Sequence, residues 1–244
     1  MRKMPKFPMK HSVIAVLPLL AGCSRVPAVL SSNSPSAARI ELVWWIMFWL
    51  GTVIFVGVTA LLLVGLFRRQ RTPGIYAALP EKQRDRAVNL WVIGGGIVMP
   101  VLILVGMVAL TVWALRAIPA QAPSDALVIE VTGHQWWWEV HYPDSGVTLQ
   151  DEVRIPVGAP VQVRLTSADV IHSFWVPELH GKFDAIPGRI HEFVLQSNEA
   201  GEYRGQCAEF CGLLHARMIV FVVAMPPEEF NAWLDEQAVS AVVK

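Results

Sequence analysis

Cysteine is scarce in this chain of 244 residues: only Cys23, Cys207 and Cys211 occur. So few, and an odd number, exclude a fold held by a disulfide framework. No Cys-x2-Cys-His is present, which excludes a covalently attached c-type haem domain. Charge is thin as well. Charged residues make up 16% of the chain and hydrophobic ones 54%, too apolar for an ordinary soluble domain. Acids are nearly missing from the first half. Residues 1–119 hold three acids against 13 bases, a balance of +10, whereas residues 120–244 hold 17 acids against 7 bases, a balance of −10. Opposite halves imply two environments. The basic half reads as membrane-flanking sequence, and no nucleic-acid partner is expected. The acidic half suits a basic partner, whose docking it would accelerate. The chain has no internal repeat and no low-complexity tract.

The first segment has the order of an export signal. Arg2, Lys3, Lys6 and Lys10 precede a short apolar core, Ser12–Leu20, too short to span a bilayer. The core runs into Leu20-Ala21-Gly22-Cys23, which resembles a bacterial lipobox, so residues 1–22 are expected to be removed and Cys23 lipidated. Residues 23–39 then form an exported N-terminal segment. Two long apolar runs follow, at 40–67 and 90–115. Each exceeds the roughly 20 residues that cross about 30 Å of hydrocarbon. Trp44, Trp45 and Trp49 lie near one end of the first, and Trp91 and Trp113 near the ends of the second, as in interfacial belts. The loop at 68–89 carries Arg68, Arg69, Arg71, Lys82, Arg84 and Arg86, which places it on the cytoplasmic side. Both the N-terminus and the region after the second span then face outward, in a multi-pass protein of the bacterial plasma (inner) membrane. Pro100 and Gly94-Gly95-Gly96 in the second span hint at a closely packed membrane partner.

Pro119, Pro123 and Ser124 mark a linker into an exported domain at 120–244. Runs of β-formers at 127–132, 136–142, 161–166, 171–176, 190–195, 202–206 and 218–223 alternate with turn residues, which predicts a sandwich or barrel. A short helix from Pro227 to about Gln237 is expected to close the chain.

Within twelve residues the segment from Cys207 to Met218 offers two thiols, the imidazole of His215 and a thioether. His172 opens an upstream strand-like run. Soft sulfur donors select copper, zinc or iron–sulfur, and a thioether beside imidazole favours copper over structural zinc. A disulfide between Cys207 and Cys211 is the competing reading, though so short a bridge would be strained. A mononuclear blue-copper site needs one cysteine, which leaves the second surplus.

The pattern Cys-x-Glu-x-Cys-x3-His-x2-Met over 207–218, with His172-Ser173-Phe174-Trp175-Val176-Pro177 upstream, resembles the CuA segment of cytochrome c oxidase subunit II. So do Gly133-His134-Gln135-Trp136-Trp137-Trp138 and Asp184-Ala185-Ile186-Pro187-Gly188-Arg189. The resemblance covers both spans and the exported domain. It implies a membrane-anchored all-β domain: a two-helix transmembrane hairpin followed by a cupredoxin-like Greek-key β-sandwich. Cys207 and Cys211 would bridge two copper ions, His172 and His215 would each bind one, and Met218 and the backbone carbonyl of Glu209 would be weak ligands. The Glu209 side chain would reach a Mg²⁺ shared with oxidase subunit I, the haem/CuB subunit; subunit III is a further expected partner. Asp184 and Arg189 would lie at the subunit I interface. Trp136 would be the electron-input residue, and Glu139, Asp144, Asp151, Glu152 and Asp169 would help dock cytochrome c. Strand alternation predicts Trp136 and Trp138 on one face and Trp137 on the other. The implied function is an electron-transfer module within a proton-translocating oxidoreductase that reduces O2 to water.

The chain departs from the pattern in two places. Many relatives carry a glutamate just before the second span, at the mouth of a proton pathway. Here Arg86-Ala87-Val88-Asn89-Leu90-Trp91 has no carboxylate, so a proton-uptake role is in doubt. His180 stands where relatives usually lack histidine and is expected on the surface. Competing functions are a related terminal reductase of the nitric oxide reductase type, a copper-free quinol oxidase subunit, and a copper carrier lipoprotein. Retention of every copper-loop position opposes the quinol reading, and two spans oppose the carrier.

Overall fold

The computed structural model describes residues 28–71 and 80–242. The expected signal at 1–22 and Cys23 lie outside the described residues, as does 72–79 of the loop. Helix α1 runs over Pro35–Arg71, and α2 over Glu81–Asn89. The latter continues through a π-helical stretch, Leu90–Val98, into α3, Met99–Arg116. Helical stretches of 34 and 36 residues, Pro35–Arg68 and Glu81–Arg116, each contain an 18-residue apolar window with a mean hydropathy of 2.5, and at about 1.5 Å per residue each is long enough for a bilayer. The π stretch has a local cause. Pro100 has no N–H to donate, and its ring crowds the carbonyl four residues earlier. The backbone upstream widens, so that the Met99 N–H donates to the Gly94 carbonyl.

Beyond the helices lie ten strands: β1 (Val128–His134), β2 (Trp137–Tyr142), β3 (Val147–Gln150), β4 (Glu152–Pro156), β5 (Val161–Ser167), β6 (His172–Trp175), β7 (Phe183–Ala185), β8 (His191–Leu195), β9 (Gly201–Cys207) and β10 (Ile219–Met225). Helix α4, Pro227–Val242, ends the described chain, five residues later than expected. The strands form two five-stranded sheets, ordered β3-β2-β1-β5-β8 and β4-β10-β9-β6-β7. The chain crosses repeatedly between them, so β1 pairs parallel with β5 and β4 parallel with β10. This is a cupredoxin-like Greek-key sandwich behind a two-helix membrane segment.

Alternation along the strands builds the core. Ile129, Val131, Trp138, Val140, Val163, Leu165, Phe193, Val220 and Val222 point inward and are buried. Large side chains of this kind each contribute roughly 1.5–3 kcal/mol when removed from water. Strands β3, β4 and β7 were not expected from sequence. They are three to five residues long, too short for a clear alternation. Asp151 makes the sharp corner between β3 and β4, where the chain changes sheets. Its φ is 57°, and its carboxylate accepts the Trp138 N–H at 2.8 Å.

The segment before α1 is tied to the sandwich. The Asn33 N–H donates to the Glu178 carbonyl at 2.8 Å, the Asn198 N–H donates to the Asn33 carbonyl at 2.8 Å, and the Ser34 hydroxyl donates to the Leu179 carbonyl. Next to this contact sits His180, and here the surface expectation is corrected. His180 is buried at 6% exposure, with Phe183 and Phe193 centred 4.8 and 5.6 Å from its ring. Neither ring nitrogen has a hydrogen-bond partner. Burial pushes its pKa down to about 4.

Candidate metal centre

Strand β6, the end of β9 and the loop from 208 to 218 deliver six donors to one place. The Sγ atoms of Cys207 and Cys211 lie 3.8 Å apart, both side chains are buried, and both thiols are free. A disulfide would hold them near 2.05 Å. Nδ1 of His172 lies 3.9 Å from the Cys207 sulfur, and Nδ1 of His215 lies 3.6 Å from the Cys211 sulfur. The Met218 thioether is 3.8 Å from the Cys211 sulfur, and the Glu209 carbonyl is 3.2 Å from the Cys207 sulfur. The ligand atoms of His172, Cys207 and Cys211 all fall within 4.8 Å of one another.

The His172 ring and the loop backbone are held from behind. Asp169 accepts from Nε2 of His172 at 2.8 Å, which leaves Nδ1 as a lone pair aimed at the sulfurs. The same carboxylate accepts the Gln135 and Val170 N–H groups. Partial burial works to raise the pKa of Asp169, but these hydrogen bonds outweigh it and hold the carboxyl below its usual range. The Cys207 N–H donates to the Met218 carbonyl at 2.9 Å, closing the loop at its base. Gly212 gives the loop its bend at φ 119°, where a Cβ would meet the Gln135 amide at 3.0 Å and the Trp136 ring at 3.3 Å. The Cys211 carbonyl accepts from the Gln135 side chain at 2.7 Å and the Trp136 indole at 3.2 Å.

The setting of Cys211 favours its neutral thiol. Burial first, and the Cys207 sulfur second, push the Cys211 thiol up to about 12. A second negative charge 3.8 Å from another sulfur is disfavoured without a cation between them. A soft metal would supply that charge, and the donor set of two sulfurs, two imidazoles, a thioether and a carbonyl fits copper.

The tryptophan run opens one residue before its strand does. Strand β2 begins at Trp137, so Trp136 sits in the β1–β2 turn, half-buried over the 208–218 loop. Trp137 stacks on His134 at 4.3 Å, and Trp138 is fully buried against His172 and Phe174. Trp136 nonetheless packs, partly buried, against the core that contains Trp138.

The expected docking acids are dispersed. Asp144 occupies the β2–β3 turn, at the opposite end of β2 from Trp136 and about 20 Å along the strand. Asp151 caps the Trp138 backbone, Asp169 holds His172, and Glu152 pairs with Arg154 at 2.5 Å. Glu139 is half-exposed on β2. Around the loop, the apolar side chains of Phe210, Leu213, Leu214, Val170 and Ile171 are exposed beside the charged Asp169, Glu209 and Arg217. Sequence reasoning missed this apolar rim because loop residues carry no periodicity to mark their facing. Glu209 and Asp184 face Lys182, whose ammonium lies 3.4 and 2.7 Å from their carboxylates. Hydrogen bonding to Lys182 holds Asp184 below the usual carboxylate range. Arg189 is exposed.

A membrane-anchored β-sandwich with a buried soft-donor cluster at one end is the class that fold and site define. Residues 145–225 match the model of the family described as cytochrome c oxidase subunit II, periplasmic domain. The chain is 36% identical over 159 residues to cytochrome c oxidase subunit 2 of Branchiostoma floridae, covering 57% of this chain and 69% of that protein. It therefore belongs to the cytochrome c oxidase subunit II family. The subunit 2 of Alkalihalophilus pseudofirmus is 33% identical over 75% of this chain, but the chain spans only 54% of that relative's length. Quinol oxidase subunit 2 of Bacillus cereus is 30% identical over 91% of this chain and 77% of its own length. Among solved structures, the periplasmic domain of subunit II of Bradyrhizobium japonicum cytochrome oxidase is 32% identical, with a TM-score of 0.47, covering 49% of this chain and 99% of that domain.

Proposed function

We propose that this chain is the electron-accepting subunit of a respiratory cytochrome c oxidase, holding the dinuclear copper centre CuA. The observation that carries the reading is the convergence of two free buried thiols, two imidazole Nδ1 atoms, a thioether and a carbonyl. In this assignment Cys207, Cys211, His172 and His215 would hold the metals, with Met218 and the Glu209 carbonyl as weaker donors. When bound, the copper pair supplies one-electron chemistry, between reduced cytochrome c and the haem of subunit I. The chain's own residues provide a rigid and largely dry cage. Burial of both cysteines and of Met218 excludes water, while Asp169 orients His172. Gln135 and Trp136 restrain the Cys211 carbonyl, so little rearrangement accompanies a change of charge. Trp136, half-buried and bonded to the backbone of a ligand, is the electron-input residue. Cytochrome c docks on the surrounding face, with the negative charge of the domain guiding its approach.

Cys23 carries the lipid, and the sandwich and the N-terminus face the periplasm, with the basic loop in the cytoplasm. For Mg²⁺ this chain offers the Glu209 carboxylate, which Lys182 would have to release. Asp184 and Arg189 complete the contact with subunit I, and subunit III completes the assembly. The Bacillus cereus relative favours a second reading, a quinol oxidase subunit. A copper-free role would leave six converging donors without a use, which weighs against it. A nitric oxide reductase type of partner would use the same centre. Copper analysis and EPR of the purified full chain test the proposal. Two coppers per chain with a delocalised signal are expected; a copper-free protein with Cys207 and Cys211 bonded to each other would sink it.

A further inference from the structure

Gly133, on β1, belongs to neither the loop nor the ligand set, yet its backbone is pressed against a ligand ring. A Cβ at this position would lie 2.9 Å from Cδ2 and 3.1 Å from Cγ of His172, and 3.2 Å from Cζ3 of Trp138. Carbon atoms in contact sit about 3.5–4.0 Å apart. We propose that Gly133 is a positioning residue for the metal centre, the back wall that sets where the His172 imidazole stands. The inference rests on the copper assignment above.

Neither side of this contact can readily give. The Gly133 carbonyl accepts from the Ala168 N–H at 3.0 Å and the Ser167 hydroxyl at 3.4 Å. Its strand is paired on both edges, with Trp138 of β2 and Ser167 of β5 opposite Gly133. Trp138 is fully buried and stands edge-on to both His172 and Phe174, with ring centroids at 5.8 and 5.4 Å. The His172 ring is fully buried too, and Asp169 grips its Nε2. A methyl group at 133 therefore acts on the least anchored coordinate, the tilt of the imidazole. That tilt moves Nδ1, which now stands 3.9 Å from the Cys207 sulfur. Glycine here is a packing requirement. The residue pairs regularly in its strand and is not among the glycines with positive φ.

The test compares the full chain in detergent, loaded with copper, as wild type, Gly133→Ala and Val163→Ala. Val163 is a buried core residue of β5, opposite Ile129 and four positions along β1 from Gly133. Its truncation lowers stability without touching His172. The wild type should hold two coppers with equivalent hyperfine coupling. Gly133→Ala should lose that equivalence or fall toward one copper per chain, while Val163→Ala lowers the melting temperature and keeps the wild-type spectrum. Should Gly133→Ala fail to fold, Gly133→Ala with Trp138→Phe, which removes the indole atom facing the new methyl, is read in its place. A wild-type spectrum and copper content in the Gly133 variant overturn the inference, as does the same spectral change in Val163→Ala. Absence of copper from the wild type would instead overturn the copper assignment.

Discussion

Acidification should unfold this sandwich through His180. The ring is buried between Phe183 and Phe193 with no partner for either nitrogen. Its pKa falls from an ordinary 6.5 to about 4 when the chain folds. The folded state thus binds fewer protons than the unfolded state between these values. Above pH 6.5 the residue adds no pH dependence. As the pH falls through 6.5 the unfolded chain is favoured, and the loss levels off below pH 4. The full loss is about 3 kcal/mol, at roughly 1.4 kcal/mol per pKa unit, and about 2 kcal/mol of it is reached by pH 5. His180→Leu removes both the titration and a buried unpaired polar group. The variant should gain about 1–3 kcal/mol at pH 7 and lose its share of the acid sensitivity. Urea unfolding of the full chain in detergent, followed by tryptophan fluorescence from pH 7.5 to 4.5, measures this. The gap between variant and wild type must widen as the pH falls. Parallel curves would refute the argument, since the histidine would then have a folded pKa close to its unfolded one.

Other outcomes follow from the same geometry. Cys207→Ser should abolish the dinuclear centre while the membrane helices still form, read as copper per chain; unchanged copper would contradict the ligand assignment. Trp136→Phe should keep the copper content but slow oxidation of reduced cytochrome c by the assembled complex, in stopped-flow measurements. Asp151→Ala deletes the cap on the Trp138 N–H and should cost about 1–3 kcal/mol in denaturant unfolding. Leu165→Ala, at a fully buried core position, should cost about 2–5 kcal/mol by the same measurement and leave the copper spectrum unchanged.

Much of the architecture was legible because the relevant signals are local. Two uninterrupted apolar runs set the helices, and period-two alternation set the long strands, since a half-buried strand must present every second residue to the core. The donor chemistry was equally plain, because sulfur and imidazole within twelve residues restrict the metal whatever the fold. Tertiary structure decided what depends on surfaces meeting. His172 and Cys207 stand 35 residues apart and converge only because β6 pairs with β9. Alternation along one strand cannot reveal which neighbour lies across from it. For the same reason Trp136 lay in a turn when a strand was expected, Asp151 and Asp169 proved to be structural partners, and His180 was drawn inside. Nothing in the run of residues marks Gly133 as pressed against an imidazole; that follows from the distance between β1 and β6 across the closed sandwich.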